Sequence, residues 1–241
     1  MVIAMSKVVT IAMQDSHTNA VNDWTFTVYP FNELVAILNL ENPKTAKDVI
    51  NRVLNKFREH NPNVEHGWWD TSFENFIALG ALFGVTINDI MFGGFHSQGS
   101  GASFTGTYEY KKGGLKAVMA EYPLDIQLHN IVRALQRVQR RNFYKLRVAI
   151  THRHSYTRFN AQAMAFDVVY KDTWCPPESA DTDDDIGAAL MDFANWIYNR
   201  LEDEYNYLIS DEVLIEHIEN NDYLFHANGV LYRPLEKHMM E

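Results

Sequence analysis

The chain has 241 residues, 46% hydrophobic and 13% aromatic, which is enough apolar material for one large domain or two small ones and excludes a disordered protein. A formal net charge of −10 argues against general binding to nucleic acid, and the lone Cys175 excludes a disulfide framework or a cysteine zinc site within one chain. No signal peptide and no run of ~18 apolar residues is seen, so we expect a soluble cytoplasmic protein without membrane contact.

The first third of the chain predicts a strand followed by helices with recognisable start and stop signals. Residues 1–23 predict a strand or a loosely held N-terminal arm. Pro43 suits the first position of a helix, and Gly84 suits the end of another. The predicted elements here are a strand at 24–29, a short helix at 32–40 capped by Asn32, and helices at 43–61 and 70–84.

Residues 90–110 predict a β-hairpin around which the rest of the chain is organised. From Ala102 to Tyr110, apolar and aromatic residues alternate with polar ones, which is the pattern of a half-buried strand. The Gly- and Ser-rich segment His96–Gly101 is typical of a hairpin loop. Clustered glycines such as Gly101 and Gly106 indicate bulges, positive φ angles or close approach of another backbone.

The remaining elements complete an α+β fold. We predict a single α+β domain over 1–241, with an antiparallel sheet of at least four strands and helices packed mainly on one face, because short loops join the strand pairs. The predicted elements are helices at 115–121 and 125–143, strands at 146–154 and 161–171, an acidic mobile loop at 173–185, helices at 186–209 and 211–220, and a hairpin at 225–232.

The hairpin tip is one candidate site for a ligand or a protein partner. Its polar residues are His96, Ser97, Gln98, Ser100 and Ser103. A kinked hairpin without a ligand explains the same residues. A small-ligand or hydrolase site is a further alternative, but Gly99-Ser100-Gly101 is too short for a nucleophile elbow, so we predict no catalytic residue and expect no enzymatic activity.

The histidines allow a metal site but do not favour one. His152 and His154 share a face of a strand, and with His96 they could form a three-histidine site. Arg153 lies between the first two and opposes a cation. We therefore predict no metal and no cofactor.

Charge is distributed unevenly along the chain. Residues 133–158 contain eight Arg or Lys and no Asp or Glu, whereas residues 178–222 contain fourteen Asp or Glu and one Arg. These segments could face each other, could simply be solvated, or could meet a charged partner. Aromatic residues interleave with the basic ones, which is typical of a surface that contacts RNA or single strands. A nucleic-acid site would use Arg133, Arg137, Arg140, Arg141, Arg147 and Arg153.

Several motifs resemble a family of phage and prophage proteins commonly labelled "antitoxin of toxin–antitoxin stability system". The main resemblance lies in Phe92-x-Gly94-Phe95-x-Ser97-Gln98-Gly99-x-Gly101-Ala102-Ser103-Phe104, and Ser100 stands where that family usually has Asp. Further similar motifs are Trp68-Trp69, Leu135-Gln136-x-x-Gln139-Arg140-Arg141-x-Phe143-Tyr144 and Asp192-Phe193-Ala194-x-Trp196-Ile197-Tyr198.

The resemblance implies a phage-encoded cytoplasmic accessory protein that binds and neutralises a host or toxin protein. Binding of nucleic acid through the basic segment Arg133–Arg153 is the alternative function. The sequence predicts no oligomeric state.

Overall fold

A computed structural model describes residues 7–14, 21–61, 64, 67–95, 98–153, 159–171 and 180–233. The chain divides into two compact units, one made of Met1–His66 with Tyr205–Glu241 and the other made of Gly67–Glu204. Each unit encloses its own hydrophobic core. The single domain expected over 1–241 stays a prediction.

Helices and strands interleave along the chain. In chain order they are β1 (Lys7–Gln14), β2 (Val21–Pro30), α1 (Phe31–Glu41), α2 (Pro43–Glu59), α3 (Asp70–Phe83), β3 (Val85–Gly93), β4 (Gly101–Glu109), α4 (Gly114–Glu121), α5 (Ile126–Arg141), β5 (Leu146–His152), β6 (Met164–Tyr170), α6 (Ala180–Leu208), α7 (Asp211–Asn220) and β7 (Leu224–His226). Among the described residues, no helix combines the length and the apolar character needed to cross a membrane.

The unit that contains both ends of the chain has a three-stranded antiparallel sheet in the order β1-β2-β7, with α1, α2 and α7. Helix α2 begins as predicted, because the side chain of Asn42 accepts hydrogen bonds from the backbone of Lys44 and Thr45. Helix α1 begins at Phe31 with Pro30 at its N-cap, so the predicted position of Asn32 as the cap is wrong. The Asn32 side chain lies inside the first turn and accepts a hydrogen bond from the N–H of Glu33.

The second unit confirms the predicted fold class. Its sheet has the order β3-β4-β5-β6, and all three strand pairs are antiparallel. In β5, Leu146, Val148 and Ile150 are buried, whereas Arg147 and Thr151 between them are exposed. Side chains from α3, α4, α5 and α6 join the buried face in one core, so the helices pack mainly on one side of the sheet.

The hairpin formed by β3 and β4 has the predicted structure. Ile90 pairs with Phe104 and Gly93 pairs with Gly101, with a bulge between Ile87 and Asp89. Phe104 is fully buried, so an aromatic residue of this hairpin forms part of the core.

Two segments differ from the prediction. Ala161–Ala163 forms a 3₁₀ turn, and β6 starts only at Met164. Helix α6 starts at Ala180, so residues 180–185 are helical and do not belong to the predicted acidic loop; residues 173–179 lie outside the described part of the chain. Asp181 and Asp183 lie in the first turn of α6, where carboxylates complement the helix dipole.

Gly106 shows why the hairpin needs glycine. Its φ is +152°, and a Cβ atom added there would lie 1.9 Å from the carbonyl oxygen of Thr86 on the paired strand. Because backbone atoms of the neighbouring strand cannot move aside cheaply, only glycine fits this position.

We expect Gly106→Ala to lower the free energy of unfolding by more than about 2 kcal/mol, because the new methyl group collides with the Thr86 carbonyl. Gly94→Ala is the matched control, since a Cβ at Gly94 meets no atom within 4 Å. Chemical denaturation of the full chain measures both. Equal stability of the two variants would contradict the close approach at Gly106.

Candidate nucleic-acid interface

The predicted hairpin-tip site is only partly assembled in the structure. His96 and Ser97 lie outside the described residues. Gln98 is exposed, but the Ser100 hydroxyl donates to the carbonyl of Gly94, and Ser103 is buried at 1% exposure. Ser103 is therefore closed off from any partner at the tip.

Of the three histidines that could have formed a metal site, His96 and His154 lie outside the described residues. Within the described ranges, no group of three or more His, Cys, Asp or Glu side chains could hold a metal ion.

The basic segment does not form one surface. Arg141 makes an ion pair with Asp185 of α6, so the basic and acidic segments meet at this pair. Arg147 lies on the face of the sheet opposite the helices and pairs with Glu109, and Arg153 follows the end of β5. Hydrogen bonding from Lys171, and then from Arg147, lowers the pKa of the Glu109 carboxyl below its usual range.

Three arginines of α5 remain together in one groove. Positions 133, 137 and 140 follow the i, i+4, i+7 spacing of one helix side, and all three side chains are exposed. The groove has a volume of about 310 Å³; its lining residues are Arg133, Gln136, Arg137, Arg140 and Tyr144. We call it the arginine groove.

No described carboxylate neutralises the guanidinium groups of this groove. Arg133 donates to the side-chain oxygen of Asn130 at 3.1 Å and forms no ion pair with any described residue. Neither Arg137 nor Arg140 forms an ion pair with any described residue. The groove therefore offers several planar donors to an anion, and guanidinium groups bind phosphate with bidentate geometry.

Aromatic side chains border the groove. The rings of Tyr144 and Tyr110 lie 4.3 Å apart between centroids, tilted by 36°. Phe143, next to Tyr144, is 66% exposed. Rings beside arginines that pair with no described carboxylate give a surface that can hold a phosphate and stack on a base.

The backbone that carries these rings is strained. Phe143 has a φ of +55° and Tyr144 a φ of +60°, both in the left-handed region that non-glycine residues rarely adopt. Two successive residues in this region are held there only when the surrounding structure fixes them.

Buried side-chain amides hold the segment between α5 and β5 in place. The Gln139 side chain donates to the carbonyl of Leu146 at 2.9 Å and accepts from its N–H at 3.2 Å. The N–H of Tyr144 donates to the Gln139 carbonyl at 2.7 Å. Asn142, also buried, donates to the Val138 carbonyl and accepts from the hydroxyl of Tyr170. The link from α5 to β5 therefore has one preferred path.

A larger, mostly apolar cleft lies beside the arginine groove. Its volume is about 440 Å³; the lining residues are Phe83, Tyr108, Tyr110, Lys111, Gly113, Gly114, Leu115, Lys116, Met119, Val132, Leu135 and Gln136. Gln136 lines both the cleft and the groove. We call this cavity the apolar cleft.

Sequence reasoning did not predict the apolar cleft, and Gln136 and Tyr110 are two informative residues that it missed. Gln136 lies three residues after Arg133 and four before Arg140, so the helical period could have placed it in the groove. Tyr110 follows β4 and meets Tyr144 only through the fold, and no local pattern indicates that contact.

We expect Phe143→Gly to be more stable than Phe143→Ala by about 1 kcal/mol, because both remove the exposed ring and only Gly relieves the left-handed strain. Asn195, exposed in α6, provides the control, since there Gly should be less stable than Ala by about 1 kcal/mol. Thermal or urea unfolding of the four variants measures both differences. The same sign at both positions would contradict the strained conformation.

Comparison with known proteins identifies a family without a described activity. No curated protein and no solved structure matches the chain. A family match covers residues 68–211, which include the whole lining of the arginine groove and of the apolar cleft. By this match the chain belongs to the family described as a domain of unknown function, DUF8835.

Proposed function

We propose that this protein binds single-stranded nucleic acid in the arginine groove. The observation that supports the proposal is a set of three exposed arginines, without carboxylate partners among the described residues, beside a pair of tyrosine rings. Phosphate and base are the two chemical groups that this combination suits.

The spacing of the arginines suits a polyanion better than a single small anion. Arg133 and Arg140 are seven positions apart, which corresponds to about 10 Å along the helix axis. One nucleic-acid strand carries a phosphate about every 3.4 Å of duplex axis and at wider intervals when extended. The groove can therefore contact more than one phosphate of the same strand.

The aromatic residues favour a single strand over a duplex. Phe143 and Tyr144 are exposed and follow Arg140 closely in the chain, and a base must be unstacked to lie on their rings. A duplex keeps its bases inside and would use only the arginines. Single-stranded DNA and RNA share the chemistry that this surface recognises.

The net charge of −10 limits how the strand can bind. The rest of the protein repels a polyanion at long range, so attraction must come from contacts within the groove. Such contacts release counterions, and binding should weaken steeply as salt increases.

We expect Arg137→Glu with Arg140→Glu to reduce affinity for single-stranded DNA and RNA at least about tenfold, and to lower the salt slope by roughly 0.7 per lost phosphate contact. Fluorescence anisotropy with labelled DNA and RNA oligonucleotides at several salt concentrations measures both quantities. Lys47→Glu is a control of equal charge change per substitution, because Lys47 is exposed on α2 and lies in the other unit.

An unchanged affinity in the double variant would contradict the proposal, as would an equal loss in Lys47→Glu. A wild-type protein that binds neither oligonucleotide would also contradict it. Tighter binding to a duplex than to single strands would remove the role assigned to the rings.

A second proposal keeps the protein-neutralising function that the resemblance implies. The hairpin tip stands on a cluster of half-buried rings that includes Trp68, Trp69, Phe92 and Phe95. Trp69 and Phe92 lie 5.2 Å apart, and Trp68 and Phe95 lie 6.2 Å apart. Exposed parts of aromatic residues are enriched in protein interfaces, and this cluster suits a host or toxin protein.

Gln98→Arg tests this second proposal, because it places a charge on the exposed tip. In a pull-down from bacterial lysate, we expect the variant to retain at least about fivefold less of the partner than the wild type does. Gln127→Arg on the exposed side of α5 is the matched control. If no protein is captured, or if the wild type, Gln98→Arg and Gln127→Arg capture equal amounts, a partner at the tip is contradicted.

A further inference from the structure

We infer that the apolar cleft holds one unpaired nucleobase of the strand whose phosphates lie in the arginine groove. The inference rests on the proposed binding of single-stranded nucleic acid and adds to it a defined place for a base. It predicts a contact that binding along the arginines alone would not produce.

The size and lining of the cleft suit a flat aromatic group. Phe83, Val132 and Leu135 contribute buried apolar surface, and Met119 at 41% exposure lies at its edge. The volume of about 440 Å³ lies within the usual range for small-molecule sites. The ring of Tyr110 supplies an aromatic face for stacking.

The cleft adjoins the arginine groove. Gln136 lines both cavities, and the Tyr110 ring of the cleft lies 4.3 Å from the Tyr144 ring of the groove. The base of a nucleotide whose phosphate is bound by Arg133 or Arg140 is therefore close to the cleft.

The polar groups of the cleft favour a base over an aliphatic ligand. The Gln136 side chain makes no hydrogen bond with any described residue, so its donor and acceptor are available to the edge of a base. Lys111 and Lys116 add positive charge to the lining, which suits a ligand that carries phosphates.

Photocrosslinking tests the contact directly in the full chain. The probe is a single strand of about eight nucleotides that carries 5-iodouracil at one internal position, prepared as DNA and as RNA. After irradiation and trypsin digestion, mass spectrometry locates the crosslink. Met119 lies in the peptide 117–133, Phe143 and Tyr144 lie in the peptide 142–145, and Tyr110 lies in neither.

We expect the crosslink at Met119 or Tyr110. A bound strand that crosslinks only to the peptide 142–145, to another site or not at all would overturn the base site and leave the proposed function standing. If no saturable binding is detected, the proposed function itself fails. A second copy of the chain in the cleft would give a dimer by light scattering without a crosslink at Met119 or Tyr110, which also overturns the inference.

An abasic strand provides an independent measurement. We expect the wild type to bind the strand with bases at least about fivefold more tightly than an abasic strand of equal length. Part of this preference should persist in Phe143→Ala, which removes the exposed ring and leaves the cleft intact. Complete loss of the preference in Phe143→Ala would assign it to Phe143 alone and overturn the inference.

Discussion

The side-chain amide of Gln139 connects the last turn of α5 to the first residue of β5, and the shape of the candidate site depends on this connection. The amide both donates to and accepts from the backbone of Leu146, and it is fully buried. A hydrogen bond within the protein contributes about 1 kcal/mol net, but leaving a buried partner unsatisfied costs about 1–3 kcal/mol. Because of this asymmetry, the hydrogen bonds between Gln139 and Leu146 stay formed. They hold the end of α5 close to the start of β5, so the chain through Phe143 and Tyr144 must be short.

That short path explains why two aromatic residues adopt left-handed φ angles. The chain leaves α5 at Asn142 and enters β5 at Leu146, so only the residues between them can reverse its direction. Glycine would make this turn with less strain, but it would carry no ring. The position thus combines strain of about 1–3 kcal/mol per residue with rings placed beside Arg140 and Tyr110, a combination that is typical of functional sites.

Much of the fold follows from local patterns in the sequence. The start of α2 at Pro43 and the alternation in β4 from Phe104 to Tyr108 are signals that neighbouring residues alone determine, and the structure agrees with both. Ser103 departs from the alternation, because it is buried like its neighbours Ala102 and Phe104. The face of Arg147 was also readable, because it alternates with Leu146 and Val148, but a count of charges along residues 133–158 conceals this alternation. A count of charges along the sequence groups neighbouring side chains together, whereas a strand places them on opposite faces of the sheet.

Other features could not be predicted, because they depend on contacts between distant residues. Arg141 pairs with Asp185, which is 44 positions away, and no periodicity in either helix indicates that pairing. The contact of Tyr110 with Tyr144 depends on the packing of α5 against the sheet. The positive φ angles of Phe143 and Tyr144 give no signal either, since the residues that usually mark such turns are Gly, Asn and Asp.

The same distinction between local and overall properties applies to charge. A net charge of −10 describes how the whole protein repels a polyanion at a distance, and at physiological salt this repulsion is screened beyond about 8 Å. In the proposed complex, a phosphate in contact with Arg137 or Arg140 is much closer than that and interacts with guanidinium groups that form no ion pair with any described residue. An acidic protein can therefore repel nucleic acid over most of its surface and still bind a strand at one site. The proposed function therefore predicts recognition of an accessible single strand over accumulation on any nucleic acid, because only a strand that reaches the groove gains the short-range contacts.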